Sequence, residues 1–157
     1  MAYLIISDSE PLNRQSVLKI SSAQDIRYLY ETDVEETEGN IYQIIDESGV
    51  LQQNGAIVLN NIPISDTGKA SFEKRFLARA RAIEDTPGFI TIKVLRPLSD
   101  NTYVVLTQWE SEQAFRDWQS SAAYNKAHKR RHTAEGLDQQ PGVLSNKPYH
   151  KVYQIIN

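Results

Sequence analysis

The chain contains no cysteine, which excludes disulfides, thiolate ligation of a metal, iron–sulfur clusters and cysteine nucleophiles. Its single methionine is Met1, so no thioether is available from the body of the chain. Histidine is left as the soft ligand, and there are three. Long apolar runs are also missing. The segment MAYLIISDSEPL opens with only five apolar residues and no basic stretch, so neither a signal peptide nor a membrane span is expected, and the expected location is cytoplasmic. No glycine-rich dinucleotide motif occurs, so electrons for any redox step must come from outside.

What is present suits one compact domain or two small fused halves. Of 157 residues, 40% are hydrophobic, enough for a core at this length. Charge is uneven: residues 1–50 hold ten acidic and three basic side chains, the remainder ten acidic and fourteen basic. The basic excess gathers at Lys126, His128, Lys129, Arg130, Arg131 and His132. One such run without an aromatic platform, in a chain of net charge −3, speaks against nucleic acid and suits a small anionic ligand.

Periodicity gives an order of elements. GAIVLNNIPI (Gly55 to Ile64) reads as a strand, and Ser65 or Asp66 as the cap of a helix carrying Phe72, Phe76, Ala80 and Ile83. That helix should stop near Thr86-Pro87-Gly88. FITIKVL and TYVVLTQW form a hairpin across Arg96 to Asn101, Ser111 to Arg131 a second helix, and Tyr149 to Ile156 a last strand. The result is an α+β, ferredoxin-like βαββαβ unit over residues 55–157. Two helices cover one face of such a sheet and leave the other bare. Residues 1–54, with apolar runs at Tyr3 to Ile6 and Ile26 to Tyr30 and a possible helix holding Ile41, Ile44 and Ile45, are expected to complete the barrel as an internal pseudo-dimer. A monomer follows, with a homodimer as the alternative.

The chemistry concentrates in WQSSAAYNKAH, Trp118 to His128, and in Asn60 of the first strand. An indole is a rigid wall, an imidazole binds iron, and a carboxamide donates a hydrogen bond inside an apolar site. In one straight helix, Trp118 and His128 lie about 15 Å and roughly 80° apart. One small ligand meets both only if the helix bends, and Ser120-Ser121 is the weak point.

At AIVLNN, VLTQWES and QAFRDWQSSAAYNKAHK the sequence resembles the Isd-type haem-degrading monooxygenases of the antibiotic-biosynthesis-monooxygenase-like superfamily of dimeric α/β barrels. The resemblance covers about residues 55–156. It extends, through VLRPL and the preceding segment, to an N-terminally extended branch that includes signalling and stress-linked proteins. It implies a haem oxygenase that binds haem through a proximal histidine and cleaves the porphyrin with O2 and an external electron donor, releasing iron. His128 resembles the iron ligand, Trp118 the indole pressed on the porphyrin, and Asn60 the distal asparagine. Asn61 points the other way on a strand. The propionates fall to the run Lys126, Lys129, Arg130 and Arg131; spacing does not choose among these, and Lys129 and Arg131 are the assignment. Ordinary members are homodimers without an extension, so residues 1–54 are a departure. Two other readings stand beside this one: a cofactor-free quinol or phenol monooxygenase with His128 as base, and a non-enzymatic haem-binding or stress-signalling module. His132 and His150 read as surface residues, Trp109 as core.

Overall fold

A computed structural model describes residues 2–14, 16–23, 25–34, 39–78, 82–121 and 143–156. Eight strands, β1 (Tyr3–Ser7), β2 (Leu18–Ser22), β3 (Asp25–Thr32), β4 (Asn40–Ser48), β5 (Ala56–Pro63), β6 (Phe89–Pro97), β7 (Thr102–Trp109) and β8 (Tyr149–Ile156), form one closed barrel. Helix α1 (Lys69–Leu77) lies between β5 and β6, and α2 (Glu112–Gln119) between β7 and β8. Around the barrel the order is β4-β1-β3-β2 followed by β8-β5-β7-β6, and every pairing is antiparallel. Each set of four strands therefore runs fourth, first, third, second. Only the second set has helices in its described connections.

Strand alternation sorts the side chains into two worlds. Inside, Leu4, Ile6, Leu18, Ile20, Leu29 and Tyr42 from the first set meet Ile57, Leu59, Leu95, Val104, Leu106 and Tyr153 from the second. The inner face of the β5 to β8 sheet is thus buried by the chain's own first 48 residues. The turn after β4 folds over this cluster through Leu51. It is held by the fully buried Gln108, whose Nε2 donates to the carbonyls of Gln52 and Asn54, each at 2.8 Å, and whose Oε1 accepts from the Gln52 N–H at 2.9 Å. Lys93 also points inward, 2% exposed, with Nζ 2.5 Å from Glu47 and 3.3 Å from Glu31. Its buried ammonium is thereby matched by carboxylates.

Outside, the second sheet carries both helices. Phe72 of α1 packs with Ile62, Ile92, Tyr103 and Val105, and Phe115 of α2 with Val58 and Trp109. A Cβ at Gly88, φ +83°, would lie 2.5 Å from the Ala114 Cβ, so glycine both permits the turn and lets α2 come close. Glu73 of α1 accepts from Arg96 Nε at 2.9 Å and from the Tyr103 hydroxyl. The Arg96 guanidinium holds its carboxyl below the usual range, so α1 is pinned by a charged clamp at neutral pH.

Four expectations are corrected. Residues Asn40–Ser48, including Ile41, Ile44 and Ile45, form a strand rather than a helix. Ordinary strand alternation puts Ile44 on the inner cluster and Ile45 on an outer one, and the register shift between Ile44 and Asp46 breaks the period-2 pattern beyond them, so the isoleucine spacing resembled a helical face. Helix α1 is capped by Gly68, without a side-chain hydrogen bond, not by Ser65 or Asp66. Ile83 sits in a separate 3₁₀ turn, Ala82–Asp85, while Ala80 lies outside the described residues. Arg96 and Pro97 belong to β6, which shortens the hairpin turn.

Candidate functional site

The outward residues of β5 are Val58, Asn60 and Ile62. Val58 belongs to the α2 cluster and Ile62 to the α1 cluster, so Asn60 stands on the strip of sheet between the two helices. Antiparallel register sets His150 beside it on β8 and Val105 on β7. In the next row the same pairing sets Val152, Val58 and Thr107. Asn60 thus stands between His150 and Val105 across the strands and between Val58 and Ile62 along its own. It is half-buried, and among the described residues its carboxamide has no hydrogen-bond partner. Asn61 faces the barrel interior with Leu59, and its Nδ2 donates to the Leu59 carbonyl at 3.2 Å. Alternation therefore distinguishes the adjacent asparagines: one is spent on its own strand and the other is available.

One wall of the strip is aromatic. Ser111 caps α2 by accepting from the Ala114 N–H at 3.1 Å, which fixes the start of the helix. Phe115 and Trp118 then fall on one side of it. The Trp118 ring lies 5.6 Å from Trp109 and 6.2 Å from Phe115. Trp109 is fully buried, and its Nε1 donates to Thr107 Oγ1 at 3.0 Å. Trp118, by contrast, is half-buried, one side of its ring system against this base. The wall is consequently rigid, because aromatic rings backed by a filled cluster have few alternative rotamers.

Helix α2 ends at Gln119 with Ser120 as its C-cap. The Ser121 hydroxyl donates to the Trp118 carbonyl at 2.6 Å, and its N–H to the same oxygen at 3.0 Å. His128, Lys129 and Arg131, with Lys126, Arg130 and His132, lie outside the described residues. Of the expected site residues, the structure describes Asn60 and Trp118. Both belong to one surface: Val58, which packs in the Trp118 cluster, is two residues from Asn60 on the same face, about 7 Å along the strand. His150 was read as a plain surface residue, yet it shares that surface. Its cross-strand partner is 90 positions away in sequence, so no local signal marked it. Among the described residues no three His, Cys, Asp or Glu side chains group as a metal site, and no helix is long and apolar enough to cross a membrane.

A family model described as antibiotic biosynthesis monooxygenase matches residues 56–130. The chain is 38% identical over 68 residues to a heme oxygenase (mycobilin-producing) of Mycobacterium tuberculosis, a match covering 43% of this chain and 65% of that protein. The solved structure of the heme-degrader MhuD from the same organism, with two hemes bound in its active site, superposes with a TM-score of 0.52 at 30% identity, over 65% of this chain and 96% of that one. A structure described as a major regulator of staphylococcal pathogenesis is similar in fold over 99% of this chain and 100% of its own, with a TM-score of 0.83 at 19% identity. Strand order, helix placement and a 30% identical relative covered almost end to end lead to one assignment: the chain belongs to the antibiotic biosynthesis monooxygenase family.

Proposed function

We propose that this protein binds haem against the strip between α1 and α2 and opens the porphyrin oxidatively, releasing iron. The observation that carries the reading is Asn60, a half-buried carboxamide without a hydrogen-bond partner among the described residues, set between Val58 and Ile62 on the outer face that carries the Trp118 wall. Such a surface suits a flat, largely apolar molecule with one polar centre. The names of the mycobacterial relatives supply the ligand class.

The residues divide the work by chemistry. His128 offers a neutral imidazole to the iron, and Lys129 and Arg131 offer cations to the propionates. Trp118, braced by Trp109 and Phe115, would hold a rigid aromatic edge against the bound haem. Asn60 would donate an N–H to the small ligand that the haem holds. Bound haem supplies the iron at which O2 is activated, and an external donor supplies electrons. The apolar walls exclude water from the reacting edge.

We further infer that one chain suffices. The inner sheet face, which would otherwise need a partner, is filled by β1 to β4, an arrangement that supports a monomeric pseudo-dimer with residues 1–54 as its first half. Among the described residues the connections β1–β2 and β3–β4 lack helices, and no counterpart of the strip is described in the first half.

The test is a titration with ferric haem. A ligated Soret band with saturable binding is expected. Asn60→Leu, which keeps the volume and removes the donor, should leave haem affinity within a few-fold and slow turnover by about tenfold to a hundredfold, read as the rate of Soret loss under reductant. No Soret band in the unsubstituted protein removes the haem reading. The cofactor-free monooxygenase, with His128 as base, would then stand in its place.

A further inference from the structure

His150 opens the last strand on the outward face, directly across from Asn60 in the β5–β8 register. Side chains so paired have Cβ atoms about 4.5–5.5 Å apart, near enough for both to reach one small group. The imidazole meets the Phe115 ring edge-on, centroids 5.7 Å apart and planes at 69°. Phe115 is itself buried in the cluster that backs Trp118. A histidine retained for packing would be buried with its nitrogens satisfied. His150 is exposed, and among the described residues neither ring nitrogen has a hydrogen-bond partner.

We propose that His150 is a binding residue of the Asn60 site. Its ring N–H and the Asn60 carboxamide form a two-donor edge that holds one hydrogen-bond acceptor of the bound molecule. Phe115 sets the plane of the imidazole, and the strand pairing sets its distance from Asn60. On the haem reading, from which this takes its ligand, the acceptor would be the small anion or O2 that the haem iron holds. This adds a second donor to the one assigned to Asn60.

Azide binding to the ferric haem complex tests the pair, with the Soret shift as readout in the full chain. His150→Ala should weaken azide by about tenfold, the size of one hydrogen bond, while haem affinity stays within a few-fold. His150→Phe keeps the contact with Phe115 and removes the N–H, and should weaken azide equally. His150→Gln, which keeps a donor, should recover part of the loss. Combined with Asn60→Ala, the His150→Ala effect should be non-additive, because both residues face one acceptor. Wild-type azide affinity in His150→Phe would make the side chain mere packing and overturn the proposal. An additive double variant would do the same. Absence of any Soret complex in the unsubstituted chain would overturn the haem reading and this role with it; a normal complex indifferent to His150 would overturn this role alone.

Discussion

Replacing His128 by alanine is expected to abolish the ligated Soret band and leave only weak, non-saturating haem association. With no cysteine and no methionine beyond Met1, the soft ligands are His128, His132 and His150. His150 sits on β8 beside Asn60, on the surface assigned to the opposite side of the ligand. His132 lies four residues beyond His128 and is not the residue that resembles the family's ligand. His132→Ala should therefore bind haem as the unsubstituted chain does. His128→Gly with added imidazole should regain a Soret band of the original position, since the free ligand then fills the place of the lost ring. A His128→Ala protein with an unchanged spectrum would remove His128 from the site.

The two tryptophans should separate cleanly by what they support. Trp109 is fully buried, donates to Thr107, and touches Phe89, Phe115 and Trp118. Trp109→Ala should cost about 3–5 kcal/mol of stability, the range for a buried aromatic cut back to a methyl group. At this chain length that lowers Tm by roughly 10 °C or more, measurable by calorimetry. Trp118 is half-buried at the edge of the same cluster. Trp118→Ala should destabilise by less than Trp109→Ala, since its side chain lies at the edge of the cluster and is only partly buried, yet should slow haem breakdown at unchanged haem binding. Equal losses of Tm in both variants would make Trp118 an ordinary core residue.

The second half of the fold was legible because its signals are local. Strand runs rich in Val, Ile and Thr are separated by Pro87-Gly88 and Ser99-Asp100, and Ser111 marks the start of α2. Alternation alone separated Asn60 from Asn61, and the described side chains follow it. The first half was harder to read. Strand β2, LKISS, has two inward apolar residues and no periodicity long enough to register. Strand β4 was disguised by its register shift, and closure depends on the pairings β2–β8 and β4–β6 between distant segments. The α1 cap was misread because Gly68 is required by contact: a Cβ there would meet the Val143 carbonyl at 2.6 Å. His150 is a surface residue as read, and its place beside Asn60 was not legible because it rests on the pairing of distant strands.

The haem complex exposed to ascorbate in air, followed through the Soret band together with an iron(II) chelator, tests the central claim most directly. The expected result is a Soret band that decays over successive scans while chelated iron rises toward one equivalent per haem, with His128→Ala inert. A band that persists while the haem is reduced, with no iron released, would contradict it and leave a protein that holds haem without opening it.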